Sequence, residues 1–387
     1  MKNDSVVEEG SMRSHVFGRS LALFLSMGLV VGLSACGDNA LPSSGQGGTD
    51  QSLSGEFAGS GASSQQSANE AWIAGFRQNH PQARISYDPS GSGAGVNAFL
   101  NGSTIWAGSD APLSKSQIRQ SEAICQDGTA FDLPVYATPI AVAYNLGDAG
   151  LNGPDRHLNM TPETIARIFS GKITNWKDPE LARLNPGATL PDLPITVVHR
   201  SDKSGTTKSF VSYLHDAAGS AWPYAVGENW PNDLGQSAKG TAGVVMTMTQ
   251  AQGTIGYADA AQTTSLGSVA VKVGNGWTPP SAKAAALVLD SARPSPDAVE
   301  PNRVVLDIDH TTDQAGAYPI MLISYDVACS VYRHDQDRSK ARFAKAWLTY
   351  IVSEEGQRQA AANAGSAELS EAVRARVMAS VKKIEVD

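Results

Sequence analysis

The sequence predicts an α/β protein with two globular domains. Short alternating or β-branched segments are followed by glycine- and serine-rich loops and then by apolar residues spaced as one helical face. The chain has 387 residues, of which 41% are hydrophobic and 18% are charged. Because chains longer than about 250 to 300 residues usually divide, we expect two domains rather than one.

Two strand–loop–helix units lie near Leu53, where the predicted folded body begins. The loop at residues 59–64 reads Gly-Ser-Gly-Ala-Ser-Ser and precedes apolar residues at helical spacing over 68–76. The segment 83–87 alternates like a strand, and a Gly-Ser-Gly-Ala-Gly loop at 91–95 leads from it into a second helix. Such loops are usually simple turns. They can also bind a ligand, because glycine permits close backbone approach and serine hydroxyls donate without adding charge.

The third unit follows a short β-branched strand at 195–198. Arg200 comes directly after it, then a Ser-Gly-Thr turn at 204–206, then apolar residues on one helical face over 210–214. Backbone N–H groups in the first turn of a helix have no partner inside the helix, and the helix dipole favours negative charge there. We therefore hypothesise that this turn forms part of an oxyanion site.

Asp110 adds a constraint on which oxyanion such a site would take. It follows a short segment at 105–107 and precedes a helix that Ser114 is expected to cap. In most chains such an aspartate is a turn or cap residue. If it faces an anion, that anion must carry a proton to donate to the carboxylate. Phosphate carries one at neutral pH and sulfate does not, so the carboxylate would admit one and repel the other.

The sequence does not fit the motifs of three common enzyme classes. The loop at 91–95 fails the Gly-x-Ser-x-Gly pattern of a nucleophile elbow, because Gly91 directly precedes Ser92. A dinucleotide fingerprint would need glycine at Val96, and the segment 166–173 lacks two residues of a Walker motif. The seven histidines form no i, i+4 pair, so we expect neither a metal site nor a cofactor.

The N-terminus predicts export. Two arginines precede the apolar run 21–32, which is too short to span a bilayer, and Leu-Ser-Ala-Cys-Gly follows it. This order resembles a bacterial lipoprotein signal, in which residues 1–35 are removed and Cys36 carries the lipid. An ordinary secretory signal, cleaved near Ala35, is the alternative.

The segment after the signal has almost nothing to bury, so residues 36–52 are expected to form a flexible tether between the lipid and the folded body. The body would then lie outside the cytoplasm, with the lipid anchor as its only attachment to the cell membrane. The net charge of -8 at pH 7 argues against a nucleic-acid partner.

Cysteine usage leads to a further prediction. If Cys36 is lipidated, only Cys125 and Cys329 remain, and an exported compartment permits them to pair. We predict that disulfide. Two buried free thiols are the alternative, because the distance between the two residues does not follow from the sequence.

Several motifs along the chain form an ordered set. They are Gly-Ser-Gly-Ala-Ser-Ser (59–64), Gly-Ser-Gly-Ala-Gly-Val (91–96), Gly-Ser-Asp-Ala-Pro-Leu-Ser (108–114), Ser-Gly-Lys-Ile-Thr-Asn-Trp (170–176), Leu-Asn-Pro-Gly (184–187), Arg-Ser-Asp-Lys-Ser-Gly-Thr (200–206), Gly-Thr-Ile-Gly-Tyr (253–257) and Tyr-Pro-Ile (318–320). From about Leu53 to the C-terminus, the chain resembles the phosphate-binding receptor of the bacterial phosphate-specific ABC transporter.

The resemblance implies that the chain binds inorganic phosphate and passes it to the permease subunits of an ABC transporter, as a monomer and not as an enzyme. The implied ligands are hydroxyl and amide donors, one carboxylate acceptor and one guanidinium: Ser63, Ser64, Ser92, Asp110, Arg200, Ser204, Gly205 and Thr206. Asp110 would accept the phosphate proton, and Asp202 would pair with Arg200 and orient it. The chain departs from the family at Ser63 and Ser64, where a threonine and an aromatic residue often stand.

The resemblance also implies a type II periplasmic-binding-protein fold, with two α/β lobes, a two-segment hinge and the ligand in the cleft between the lobes. One lobe would comprise residues 53–134 and 318–387, and the other residues 135–317. Three alternatives for the function stay open: a phosphate-ester hydrolase with Ser92 or Ser204 as nucleophile, a receptor for another oxyanion, and a phosphate sensor without transport.

Overall fold

The computed structural model describes residues 53–126, 128–336 and 338–386. The expected signal peptide (1–35), the expected lipidation site Cys36 and the tether up to residue 52 lie outside these residues. In the described part of the chain, no helix combines the length and the apolar composition that crossing a membrane requires.

Strands and helices alternate along the described chain, which confirms the predicted α/β class. The strands are β1 (Gly55–Gly61), β2 (Ala83–Asp88), β3 (Trp106–Ser109), β4 (Phe131–Tyr144), β5 (His157–Met160), β6 (Thr196–Arg200), β7 (Gln236–Ala238), β8 (Thr254–Asp259), β9 (Gly267–Val273), β10 (Gly276–Thr278), β11 (Arg293–Pro294), β12 (Leu306–Asp307) and β13 (Met321–Ala328).

The helices follow the strands closely in sequence. They are α1 (Gln66–Asn79), α2 (Ser92–Leu100), α3 (Lys115–Ser121), α4 (Pro162–Phe169), α5 (Pro179–Leu184), α6 (Gly205–Ala217), α7 (Gly240–Gln250), α8 (Ala282–Ser291), α9 (Ser339–Ile351), α10 (Glu354–Ala364) and α11 (Glu371–Val381). Ser114 caps α3 through a capping box with Gln117, and Thr161 caps α4. The Ser114 cap was predicted from the sequence.

One mixed sheet carries most of the strands. Its order is β2-β1-β3-β13-β4-β8-β6-β7, and β9 pairs with β4, β5 and β10. β1 is parallel to β2 and β3, and β6 is parallel to β7 and β8. The antiparallel strands β13 and β4 join these two parallel groups. Since parallel strands end at the same edge, the turns and helices that follow each group begin close together.

Strand β4 belongs to two apolar cores. Its residues from Phe131 to Tyr136 pack into a first core with α1, α2 and α9, whereas Ile140, Val142 and Tyr144 pack into a second core with α4 and α6. All 14 residues of the strand are buried. We call the elements around the first core (β1–β3, α1–α3, α9) the first half, and those around the second (β5–β9, α4–α7) the second half.

Aromatic rings fill both cores. In the first core Phe343 stacks on Phe57 at 4.2 Å between ring centroids, and Trp72 meets Trp347 edge to face at 6.4 Å. Trp176 is fully buried in the second core. These side chains contribute apolar burial and specific ring packing rather than ligand contacts.

Cys125 and Cys329 form a disulfide, which confirms the predicted pairing; their Cα atoms lie 5.3 Å apart. Both residues are buried in the first core. The bond therefore closes a long loop within the first half and does not tie the two halves together.

Candidate functional site

The three predicted glycine- and serine-rich turns converge where the two halves meet. The turn at Ser63–Gln65 follows β1, α2 follows β2, and α6 follows β6. The halves approach closely here: the Gly93 N–H donates to the Lys203 carbonyl oxygen at 3.2 Å. A Cβ on Gly205 would lie 2.6 Å from the carbonyl carbon of Asp110. Any larger residue at Gly205 would therefore push the halves apart.

Asp110 lies at the centre of this region, buried and directly after β3. Ser64 Oγ and Thr206 Oγ1 donate hydrogen bonds to its Oδ2 at 2.6 and 2.9 Å, and Ser324 Oγ donates to its Oδ1 at 2.7 Å. A carboxylate has about four lone-pair positions, so these donors leave one position, on Oδ1, for a further donor. Thr206 belongs to the second half, so this bond crosses between the halves.

Burial raises the pKa of Asp110. The hydrogen bonds of Ser64, Ser324 and Thr206 and the charge of Arg200 lower the pKa but do not outweigh the burial. Because hydroxyl donors bind the ionised carboxylate, they favour the form that accepts hydrogen bonds. Asp110 is thus a buried carboxyl whose pKa lies above its ordinary value and whose hydroxyl neighbours favour its hydrogen-bond-accepting form.

Arg200 supplies the positive charge of the region. Its side chain is 2% exposed, and its Nε donates to Asp202 Oδ1 at 2.8 Å while its Nη2 pairs with Oδ2 of the same carboxylate. Burial acts to raise the pKa of Asp202, but the hydrogen bonds and charge of Arg200 outweigh it and hold that pKa below its ordinary value. Gly240 N–H also donates to Asp202 Oδ1, at 2.9 Å. The predicted pair is present, and Asp202 fixes the orientation of the guanidinium.

Ser92 connects the first turns of two helices. Its Oγ accepts from the Asp110 N–H at 3.2 Å and from the Gly205 N–H at 3.3 Å. Ser204 Oγ accepts from the Thr207 N–H at 3.2 Å and so caps α6. Each oxygen accepts from amides while its own hydrogen is still available, so both serines can donate to an anion. A nucleophilic serine would need a base within reach, and the described hydrogen bonds of these two hydroxyls go to amides.

Ser63 contacts a helix start of the second half. Its Oγ accepts from the Thr241 N–H at 3.0 Å and lies 3.1 Å from Thr241 Oγ1. Thr241 is in the first turn of α7, whose N-cap residue Lys239 makes no side-chain cap. A serine of the first half therefore satisfies a free amide at a helix start in the second half.

Lys203 makes contacts at the junction of the two halves. Its Nζ lies 3.1 Å from Glu228 Oε2, and its side chain covers Gly93 so closely that a Cβ there would meet it at 2.7 Å. The side chain is about half exposed, at 48%. It therefore contributes to the contact between the halves as well as to the surface.

Sequence reasoning missed three polar residues of this region: Ser324, Thr241 and Tyr257. Ser324 lies in β13 at a register irregularity with β4, far from the other site residues in sequence. Thr241 follows β7, a strand too short and too polar to show an alternating pattern, although Gly240-Thr241 does repeat the glycine–hydroxyl helix start. Tyr257 ends the motif 253–257, but its sequence context is that of an ordinary buried strand residue.

The chain matches the model of the PBP superfamily domain over residues 46–355. It is 33% identical over 398 residues to phosphate-binding protein PstS2 of Mycobacterium bovis, covering 95% of this chain and 99% of that protein. It is 32% identical over 369 residues to phosphate-binding protein PstS 3 of Mycobacterium leprae, covering 88% of this chain and 92% of the relative.

Solved structures show the same fold. A high-affinity periplasmic phosphate-binding protein, PfluDING, solved with phosphate bound, superposes with a TM-score of 0.65 at 20% identity, covering 84% of this chain and 93% of that one. A phosphate-binding protein from Stenotrophomonas maltophilia gives a TM-score of 0.60 at 20% identity, with the same coverage of 84% and 93%. These neighbours establish the two-lobed fold. From the domain match and its relatives, the chain belongs to the PBP superfamily and, within it, to the PstS phosphate-binding proteins.

Proposed function

We propose that this protein captures inorganic phosphate outside the cytoplasm and delivers it to the permease of an ABC transporter. Two lines of support are independent of each other. The relatives that match almost the whole chain are named phosphate-binding proteins. The residues at the junction of the halves offer the donors and the acceptor that a protonated phosphate needs.

The observation that carries the proposal is the position of Asp110. It is a buried carboxylate that sits among hydroxyl donors at the meeting point of the two halves, and Arg200 lies near enough to influence its charge. A site for a fully deprotonated anion would gain nothing from a carboxylate, because like charges repel in a dry region. Hydrogen phosphate can donate its proton to the free position on Asp110.

The proposed ligand set consists of donors around that acceptor. Ser92 and Ser204 have hydroxyl hydrogens available, the first turn of α6 offers the amide of Thr206, and Arg200 offers guanidinium N–H groups. The Gly205 amide donates to Ser92 Oγ and would join this set by turning from that oxygen to the anion. Ser64 contributes its backbone amide, because its hydroxyl hydrogen is already donated to Asp110 Oδ2. Ser63 contributes less directly, through its bond to Thr241.

The energetics are sufficient for tight binding. Micromolar affinity corresponds to about 8 kcal/mol, and a hydrogen bond to a charged group contributes roughly 1.5 to 3 kcal/mol net. Five to six such bonds contribute roughly 7.5 to 18 kcal/mol, and the upper part of this range reaches that free energy after the costs of binding and of closing the lobes are subtracted.

The two halves are proposed to close on the ligand as lobes. We assign residues 53–134 and 318–387 to one lobe and residues 135–317 to the other, with the long strand β4 and its neighbour β13 as the hinge segments. Support comes from the two apolar cores that share β4. The contacts of Gly205 and Thr206 with Asp110 then describe a closed arrangement, and opening would separate the donors of α6 from the carboxylate.

The location and partners are proposed from the same family membership and from the N-terminal sequence. A lipid on Cys36 would hold the protein at the outer face of the cell membrane, and the tether 36–52 would let the folded body reach the permease. We propose that the protein acts as a monomer and as a receptor without covalent chemistry.

Isothermal titration calorimetry of the mature protein tests the function directly. Inorganic phosphate is expected to bind at one site with micromolar or tighter affinity, and sulfate at the same concentrations is expected to give no saturable heat. Saturable sulfate binding of equal strength would contradict the role of Asp110. No phosphate binding at all would overturn the proposed function.

A further inference from the structure

Tyr257 contacts both elements that carry the second-half ligands. It lies in β8, is buried, and its hydroxyl oxygen accepts from the backbone N–H of Arg200 at 3.3 Å. The same oxygen lies 2.7 Å from Thr207 Oγ1 in the first turn of α6. One phenol group therefore bridges the end of β6, which carries Arg200, and the start of α6, which carries Ser204.

The ring of Tyr257 packs against two nearly parallel aromatic rings. The Phe210 ring stacks on the Tyr257 ring, with 4.6 Å between ring centroids and 23° between ring planes. The Trp230 ring lies 5.6 Å from the Tyr257 ring, at 25°. His199 stacks on Trp230 in turn, at 5.2 Å and 14°. His199 is in β6 and Phe210 is in α6, so the stack joins the same two elements that the hydroxyl bridges. Such packing restricts the sliding and tilting of the ring.

The protonation state and the hydrogen-bond partners of the Tyr257 hydroxyl agree with a fixed bridge. Burial raises the pKa of Tyr257 to about 12, so the phenol keeps its proton across the physiological range. Because its oxygen accepts from the Arg200 amide, its hydrogen is available to Thr207. A buried ring without this geometric role would need only one partner for its hydroxyl, as Tyr318 has in the Ile140 carbonyl oxygen at 2.9 Å.

We propose that Tyr257 is a positioning residue for phosphate binding. Tyr257 sets the position of Arg200 relative to the first turn of α6, so that the guanidinium and the helix-start donors reach the same anion. It does not contact the ligand. The proposal rests on the proposed phosphate function, and it adds a residue whose effect is transmitted through backbone and hydroxyl contacts. Displacements of about 1 Å are enough to weaken a cage of short hydrogen bonds.

The test compares Tyr257→Phe with Tyr318→Phe. Both variants delete one buried hydroxyl near the second core, so both are expected to lower the melting temperature by a similar amount. Only Tyr257→Phe is expected to raise the phosphate Kd, by about tenfold, mainly through faster release measured by stopped flow. Equal phosphate Kd values for Tyr257→Phe and the unmodified protein would overturn the proposal, as would an equal loss in Tyr318→Phe.

Variants at Thr207 keep the test decisive if Tyr257→Phe does not fold. Thr207→Ser retains the hydroxyl and is expected to bind phosphate as the unmodified protein does, whereas Thr207→Val is expected to weaken binding about as much as Tyr257→Phe. Combining Thr207→Val with Tyr257→Phe should add little, because both remove the same bond. Equal affinities for the serine and valine variants would contradict the positioning role. If the unmodified protein binds phosphate in the same assay, such a failure leaves the proposed function intact; if it does not, both proposals fall.

Discussion

The two walls of the candidate site differ in what they offer an anion. The wall from the first half presents a buried carboxylate, Asp110, surrounded by the hydroxyls of Ser64 and Ser324. The wall from the second half presents a cation, Arg200, with its charge tempered by Asp202, and the start of helix α6. The first wall can accept a hydrogen bond only from an anion that carries a proton, and the second wall can neutralise the negative charge of the anion. In the proposed function, selectivity and affinity would therefore come from different halves of the molecule.

The difference also explains why the halves must meet. Asp110 alone would repel an anion, and Arg200 alone would accept phosphate and sulfate alike. Thr206 of the second half donates to Asp110 at 2.9 Å, so the two walls are in direct contact. The proposed recognition of one protonated oxyanion therefore requires both walls at once, and the proposed closing of the lobes would produce that arrangement.

The largest effect is expected from the second wall. Arg200→Ala should weaken phosphate binding by about a hundredfold or more, because it removes two charge-assisted donors and leaves Asp202 unpaired beside the anion. Calorimetry measures the change. Arg167→Ala is the matched control, since Arg167 also pairs with a carboxylate of the second half, Glu180 at 2.6 Å, at a partly exposed position. Micromolar phosphate binding by Arg200→Ala would contradict its role as the clamp.

The first wall is expected to control the selectivity for phosphate over sulfate. Asp110→Asn replaces the acceptor by an amide that can donate, so phosphate affinity should fall by about tenfold while sulfate binding becomes measurable. The control is Asp326→Asn in β13, a second buried carboxyl that lies outside the proposed ligand set. Competition titrations of sulfate against phosphate give the ratio. An unchanged ratio in Asp110→Asn would refute the proton-acceptor role.

Asp326 also shows what burial does to a carboxyl, because the side chains of Gln65 and Trp347 lower its pKa less than burial raises it. Burial raises its pKa to about 7, so the folded state holds a proton that the unfolded chain releases near pH 4. Its contribution to the free energy of unfolding is therefore full at low pH and is lost as pH rises through about 7.

The unmodified protein should lose on the order of 2 kcal/mol of unfolding free energy between pH 5 and pH 8 relative to Asp326→Asn. Urea unfolding at both pH values measures this difference. If the free energies of unfolding of the two proteins change with pH in parallel, the Asp326 carboxyl does not contribute to the pH dependence of stability.

The smallest effect is expected at the contact between the walls. Ser63→Ala removes the bond to the Thr241 amide, so the closed arrangement loses one hydrogen bond and phosphate Kd should rise by only about three- to fivefold. Thr241→Val keeps the amide and removes only the hydroxyl, so it should change Kd less than Ser63→Ala. A loss at Ser63→Ala as large as that at Arg200→Ala would instead make Ser63 a principal ligand.

Much of this site could be predicted because its residues follow strands in short, local patterns. The helix starts at Ser92 and Gly205 and the position of Asp110 after β3 all depend on nearby residues only. The pairing of Arg200 with Asp202 also follows from their closeness in sequence.

The remaining residues depend on contacts between distant segments. Ser324 reaches Asp110 because β13 lies beside β3 in the sheet, and this neighbourhood of strands is set by topology rather than by local pattern. Thr241 and Tyr257 likewise acquire their partners only when α7 and β8 pack against the other elements. A serine in a buried strand and a tyrosine in a core have no local sequence signal that separates them from structural residues.

A crystal structure of the protein with phosphate tests the central claim most directly, because it shows which groups contact the anion. We predict one phosphate between the halves, with an oxygen about 2.6 Å from a carboxylate oxygen of Asp110 and the guanidinium of Arg200 bonded to the same ion. A phosphate bound elsewhere, or one whose oxygens contact Arg200 but stay out of hydrogen-bond distance of Asp110, would contradict the account.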